Sequence, residues 1–231
     1  NSRLYARIKE WIDSRLIGQV LNIHCDYFCS EFHLKNSWRS NSPGTLIGEK
    51  LCHYLDLSRW WIGDEVAEVY SLHAPNFVNY FNHPDNHNII YKFRNGSVAT
   101  LNFIMGVAET FTGDPLMDVL ARQADDGHRL NFMICGTKGA IEADVFRRRL
   151  RRWEFTDDID KLKSKIVETV TWQKDVDLEW FHDTHGHVLI VAERVAKGLK
   201  PSISAQDSFN TMRLGFAAEI SEKERRIVQI S

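Results

Sequence analysis

Apolar residues recur along the first segment at Leu4, Ile8, Trp11, Ile12 and Leu16, the three-and-four spacing of one helix face. Gly18 follows where a left-handed C-cap residue is expected. The pattern then changes: from Val20 to Phe32, Val20, Ile23, Cys25, Tyr27 and Cys29 mix with β-formers such as Phe28 and predict a long strand. Ser40 to Gly44 holds Asn41, Ser42 and Pro43, a turn-rich stretch, before a second helix over about Leu46 to Ile62 that Gly63 and Asp64 stop.

Val66, Val69, Ile89, Tyr91, Phe93, Val98, Thr100, Leu101 and Phe103 belong to segments rich in β-branched and aromatic residues, hence strands. Arg94, Asn95, Gly96 and Ser97 carry the Asn-Gly pair of a hairpin and predict antiparallel pairing on either side. Phe132 to Cys135 and Ala140 to Ala143 flank Gly136, Thr137, Lys138 and Gly139, a second tight connection between strands. The arginine-rich run Phe146 to Trp153 is expected to be a solvated edge strand whose charges discourage sheet-to-sheet association. Asp183 or Thr184 caps a helix that Gly198 and Pro201 end, another runs from about Ala205 to Glu222, and Ile227, Val228 and Ile230 look like a short last strand. The order α, β, α, several β, α, α predicts an α+β fold, a largely antiparallel open sheet with helices on one face. No repeat or linker divides residues 1–231, so one domain is expected.

Composition narrows the function. Twenty-nine basic and 31 acidic side chains leave a formal charge of −2, which gives no global attraction to nucleic acid or an anionic membrane. The apolar runs, such as Val188 to Ala192, are far shorter than the roughly 20 residues that span a bilayer. Cys25, Cys29, Cys52 and Cys135 are too few and dispersed for a disulfide framework, so buried thiols and a cytoplasmic setting are expected. The chain contains no G-x-G, P-loop, G-x-S-x-G, H-E-x-x-H or paired C-x-x-C, which removes the usual dinucleotide, phosphate, hydrolase and zinc signatures.

The polar residues of the second helix need explaining. Glu49, His53 and Asp56 stand at i, i+4 and i+7, which a regular helix places on one stripe. A histidine held by a carboxylate can take a hydroxyl proton near neutral pH, and the same pair can serve a core without catalysing anything. Lys50 falls off the stripe and is expected to be solvated or at an interface. Two other readings use these residues or their surroundings: a Zn or Mn site of Glu49, His53, His185 and His187, or a non-enzymatic module that binds a partner through its sheet.

The segment GTLIGEKLCHYLDLSRWWIG, residues 44–63, closely resembles the helix after the first C-terminal strand in the glucose-fructose oxidoreductase, inositol dehydrogenase and rhizopine-catabolism (Gfo/Idh/MocA) family. CGTKGAIEAD, Cys135 to Asp144, resembles that family's G-T-x-G strand pair, and the stretch from His185 to Ile230 is similar to its closing helix pair and last strand. The resemblance covers nearly the whole chain and implies the C-terminal substrate and oligomerisation domain of an NAD- or NADP-dependent sugar or polyol oxidoreductase. It further implies that His53 acts as acid/base, with Glu49, where Asp is more familiar, orienting it or binding a hydroxyl. Trp38, Arg39, Asp56 and His185 would be substrate contacts. The cofactor belongs to an N-terminal Rossmann domain that this chain lacks, so the chain alone is expected to hold no dinucleotide firmly and to be inactive. A homo-oligomer through the sheet face, and no metal, nucleic acid or membrane partner, complete these expectations.

Overall fold

The computed structural model describes residues 2–31, 35, 45–108, 127–157 and 161–231. Helix α1 (Arg3–Asp13) buries Leu4, Ile8, Trp11 and Ile12, and the Ser2 hydroxyl caps its first turn. The helix ends at Asp13, earlier than Leu16, because Arg15 takes a left-handed conformation and turns the chain toward β1 (Val20–Cys29). The second helical segment is composite: a π turn (Ile47–Leu51) runs into α2 (Cys52–Ile62), which Gly63 closes in the left-handed region.

Strands β2 (Val66–Leu72), β3 (Asn86–Phe93), β4 (Val98–Met105), β5 (Arg129–Gly136), β6 (Gly139–Asp144), β7 (Arg149–Asp157), β8 (Leu162–Thr171) and β9 (Val228–Gln229) complete one sheet. The nine strands among the described residues lie in the order β8-β7-β6-β5-β1-β4-β3-β2-β9. Among the described residues, only β1 and β4 pair in parallel; every other ladder is antiparallel. The Asn-Gly hairpin joins β3 to β4, with Gly96 supplying the positive φ that its turn needs. A short helix α3 (Asp177–Trp180), α4 (Thr184–Ala196) and α5 (Ala205–Glu224) close the chain before β9, with Asp183 and Ser204 as N-caps of α4 and α5.

The period-two alternation of the strands decides which side of the sheet is covered. Ile23, Cys25, Tyr27 and Cys29 of β1, Leu101 and Phe103 of β4, and Leu130, Phe132 and Ile134 of β5 are buried beneath α1, α2 and α5. The intervening residues make the face that is helix-free among the described residues and largely polar. There His24 meets Thr100 at 3.0 Å, Asn102 donates to Asp26 at 2.9 Å, and Arg129 pairs with Asp26 at 2.9 Å.

The arginine run corrects the expectation of an edge. Strand β7 lies between β6 and β8, and its arginines are neutralised rather than solvated. Arg151 donates to Glu142 on β6 at 2.7 Å, and Arg148 forks onto Asp177 at 2.8 and 2.7 Å. The edge on that side among the described strands, β8, was not apparent from the sequence, because nearly all of it is exposed and no buried alternation marks it. Ile166, Val167, Thr169, Val170 and Thr171 are its β-branched signal.

The G-T-x-G connection has a steric cause. A Cβ at Gly136 would stand 2.2 Å from the Ile17 carbonyl oxygen, and one at Gly139 would stand 2.2 Å from that of Trp153. Both strands therefore approach neighbouring backbone more closely than any side chain permits. Gly136→Ala is expected to cost about 1–3 kcal/mol, as overpacking does, and so to lower the melting temperature by several degrees. Calorimetry that finds no change would remove this account of the motif.

Candidate functional site

The π turn shapes the site. Its i→i+5 bonding, visible in the Cys52 N–H donating to the Ile47 carbonyl, winds more loosely than an α-helix and offsets Glu49 and Lys50 from the residues that follow. Gly215 of α5 allows the close approach here, since a Cβ at that position would meet Ile47 at 3.4 Å. Glu49 and His53 are exposed on this first stretch, while Lys50 is half-buried. Contrary to the expectation of a solvated lysine, the Lys50 ammonium lies 4.9 Å from the centre of the Tyr27 ring, over the C-terminal part of β1. Tyr27 in turn packs on Tyr54 of α2, ring centres 5.0 Å apart. Burial drives the Tyr27 hydroxyl well above the usual phenol range and pushes the Cys29 thiol up to about 12, which the nearby Lys50 charge partly opposes.

A second histidine faces this group. His182 follows α3, and its imidazole is held below the ordinary histidine range, first by burial and then by the charges of His53 and Lys50. Three elements therefore bring His53, Lys50 and His182 into one electrostatic neighbourhood. The position of His182 is fixed from below. Buried Asp177 accepts from Arg148 and from the Trp172 indole at 3.0 Å, and Trp172 stacks on Trp180 at 4.8 Å, nearly parallel. Phe181 meets Tyr5 edge-on at 6.2 Å and Phe146 at 6.3 Å. His182 was missed in the sequence reading; its signal is a histidine between an aromatic pair, Trp180 and Phe181, and the N-cap Asp183.

Other expected site residues go elsewhere. Asp56, three residues after His53 on α2, is engaged by its neighbours: its carboxylate accepts from Arg59 at 3.2 Å and from the Thr211 hydroxyl. Arg59, 5% exposed, also binds Glu65 at 2.7 Å and Asp207 at 3.0 Å, and it holds the Glu65 carboxyl below the usual range. Asp56, Arg59, Trp60, Glu65 and Asp207 line a separate open recess of about 500 Å³. His185 and His187 are exposed on the first turn of α4. Trp38 and Arg39 lie outside the described residues. Among the described residues, no three His, Cys, Asp or Glu side chains converge as a metal ligand set, so Glu49, His53, His185 and His187 do not form one.

The neighbourhood of His182 can be titrated directly. Its imidazole should protonate at lower pH than a free histidine, and Lys50→Met, which removes a repelling cation, should raise that pKa toward the ordinary value. Proton NMR of the His182 ring in both proteins measures this. A pKa that Lys50→Met leaves unmoved would show that the two side chains do not share a site.

Comparison with known proteins supplies independent context. The family model described as GFO/IDH/MocA C-terminal domain matches residues 5–142. A Bacillus subtilis (strain 168) protein named as an oxidoreductase, YteT, is 31% identical over 81 residues, which are 33% of this chain and 19% of that protein. The solved oxidoreductase domain protein from Kribbella flavida superposes with a TM-score of 0.74 at 18% identity, covering 99% of this chain and 63% of its own. The WlbA dehydrogenase from Bordetella pertussis, solved with NADH and UDP-GlcNAcA, gives 0.69 at 15% identity, covering 100% and 60%. At such identities the likeness to the solved proteins is one of fold. The chain spans less than two thirds of the length of each of these relatives.

Proposed function

This chain belongs to the GFO/IDH/MocA family, and from that premise we propose that it forms the substrate side of an NAD- or NADP-dependent oxidoreductase acting on sugars, polyols or related hydroxyl compounds. The observation that carries this reading is the exposed His53 on α2, one turn from Lys50, which lies over the Tyr27 ring, with the charges of both acting on the His182 imidazole. Alcohol oxidation requires a group that takes the hydroxyl proton, and a reachable imidazole does so best when it is neutral. Burial, and then the charges of His53 and Lys50, disfavour a positive charge on His182, which keeps that imidazole available as an acceptor beside them. In this scheme His53 takes the proton, Glu49 orients the ring or a second hydroxyl, and Trp38, Arg39 and His185 contact substrate. Asp56 acts by holding α2 to α5 through Arg59 and Thr211.

The residues of this chain do not fit the dinucleotide itself. A pyrophosphate needs closely spaced glycines at a helix N-terminus, and the sequence has no G-x-G. The cofactor is therefore assigned to the portion of the relatives' length beyond this chain, and the chain by itself is expected to be inactive. That WlbA was solved with NADH and a nucleotide-linked sugar acid supports the class of reaction and of substrate. The helix-free sheet face, with Leu21, Ile90 and Ile166 exposed along it, is the proposed surface for a homo-oligomer.

His53→Ala, in the full-length protein that carries this chain, is expected to lower turnover of a responsive sugar or polyol by about 10²–10⁴-fold, the usual worth of a positioned acid/base. Affinity for NADH, measured by its fluorescence, should stay within about twofold, because the imidazole meets substrate. Comparable losses in both quantities would contradict the assigned role.

A further inference from the structure

Strand β1 leads into a buried acceptor. Its covered residues Tyr27 and Cys29 are followed, two positions on, by Glu31. Among the described residues, the Glu31 Oε1 atom is buried and has no hydrogen-bond partner. A carboxylate can only accept, and an oxygen kept from water without a donor is costly. Such a group in a folded protein needs a reason, and a donor brought by a ligand is one. The carboxylate is also held in place. The Tyr80 hydroxyl donates to it, and burial, followed by that bond, raises the phenol to about 12, so Tyr80 stays a donor. Tyr80 stands edge-on to Phe81, ring centres 5.3 Å apart, in the segment before β3. That segment is tied down: Asn76 donates to the Phe81 and His83 carbonyls at 3.3 and 2.9 Å, and Asp85 accepts from the Val78 N–H at 2.6 Å. The backbone before Glu31 is pinned as well, since the Ser30 N–H donates to His128 Nε2 at 3.1 Å and the Gly106 N–H to the Cys29 carbonyl at 2.8 Å.

We propose that Glu31 is a specificity-determining residue whose Oε1 accepts from a hydroxyl of the substrate other than the one that reacts, with Tyr80 positioning it; the inference rests on the functional reading above. Place selects this role. Lys50 lies over the Tyr27 ring, and Cys29 follows Tyr27 on the covered side of β1. After burial, which dominates, the Cys29 thiol is lowered by the Lys50 charge and raised by that of Glu31. Glu31 therefore shares the neighbourhood of Lys50, which is one turn from His53. A sugar or polyol that meets His53 through one hydroxyl carries others, and the fixed carboxylate is an acceptor for one of them. Because Tyr80 and the pinned backbone set the carboxylate beforehand, little freedom is lost when the hydroxyl arrives. An analogue without that hydroxyl would leave the acceptor unmet, which is how such a site discriminates.

Kinetics of the full-length protein that carries this chain test it, using the best substrate from a panel of hexoses and alditols together with its monodeoxy analogues. Glu31→Ala is expected to raise KM by about 10–100-fold, the usual worth of a hydrogen bond to a charged group, with kcat within about threefold. Glu31→Gln, which keeps an acceptor, should recover part of that loss. One deoxy analogue should have a raised KM with the wild type and be indifferent to Glu31→Ala. In the 231-residue chain, Glu31→Gln should leave the melting temperature unchanged or higher, because a neutral amide that still accepts from Tyr80 replaces a desolvated charge. A fall of several degrees would make the carboxylate structural and overturn the proposal. So would a melting temperature that millimolar Mg²⁺ or Ca²⁺ raises only when Glu31 is present, since the oxygen would then be a metal ligand. An unchanged KM in Glu31→Ala, beside turnover lost in His53→Ala, would leave the oxygen to water and overturn this proposal alone. A raised KM in Glu31→Ala with full turnover in His53→Ala would instead remove the role of His53 and leave that of Glu31 standing.

Discussion

One aromatic contact set holds both halves of the candidate site. Tyr5 of α1, Trp61 of α2 and Phe132 of β5 meet pairwise with ring centres 5.1–5.8 Å apart, and Phe181 touches Tyr5 from the other side. Trp61 also donates its indole N–H to the Tyr5 carbonyl at 3.3 Å. These edge-to-face pairs each contribute about 0.5–1.5 kcal/mol beyond simple burial. Their larger consequence is positional. Trp61 lies on the helix that bears His53, and Phe181 immediately precedes His182, so both imidazoles are referred to the same buried ring of β5. Such a cluster has little freedom to shift, because close-packed interiors do not deform continuously.

Around this centre the charges are arranged to hold elements together. Arg59 is buried among Asp56, Glu65 and Asp207 and ties α2 to α5, and Asp177 ties α3 to the β6–β7 turn through Arg148. Removing one partner of such a group is costly because the remaining charge stays desolvated. The net effect is a rigid floor of sheet and aromatic rings with an accessible rim of His53, Lys50 and His182. Precision in the rim without burial of its chemistry is what a substrate-side surface requires.

Legibility from sequence followed burial. The alternation of β3, β4 and β5 and the amphipathic α1 were readable because one face of each meets the core. The glycines of the Cys135 to Asp144 segment were readable as a turn, though their steric cause, the carbonyls of Ile17 and Trp153, comes from elsewhere in the chain. Strand β8 escaped because it buries almost nothing. The arginines of β7 and of the turn before it misled because their carboxylate partners, Glu142, Glu168 and Asp177, lie on other elements. The stripe of Glu49, His53 and Asp56 assumed an unbroken α-helix; the π turn holds Glu49 and offsets it from His53, while His53 and Asp56 stay three residues apart on α2. His182 was invisible for a related reason: only tertiary structure brings a turn residue 129 positions beyond His53 to its side.

The central claim is that the imidazole of His53 meets the reacting hydroxyl. The direct measurement is a crystal structure of the full-length protein that carries this chain, with NAD(H) or NADP(H) and a polyol or sugar bound. The account predicts a His53 ring nitrogen within about 3 Å of a substrate hydroxyl, with His182 and Lys50 on the same wall. A substrate seated in the Asp56 and Arg59 recess or on the helix-free face, out of reach of His53, would contradict it.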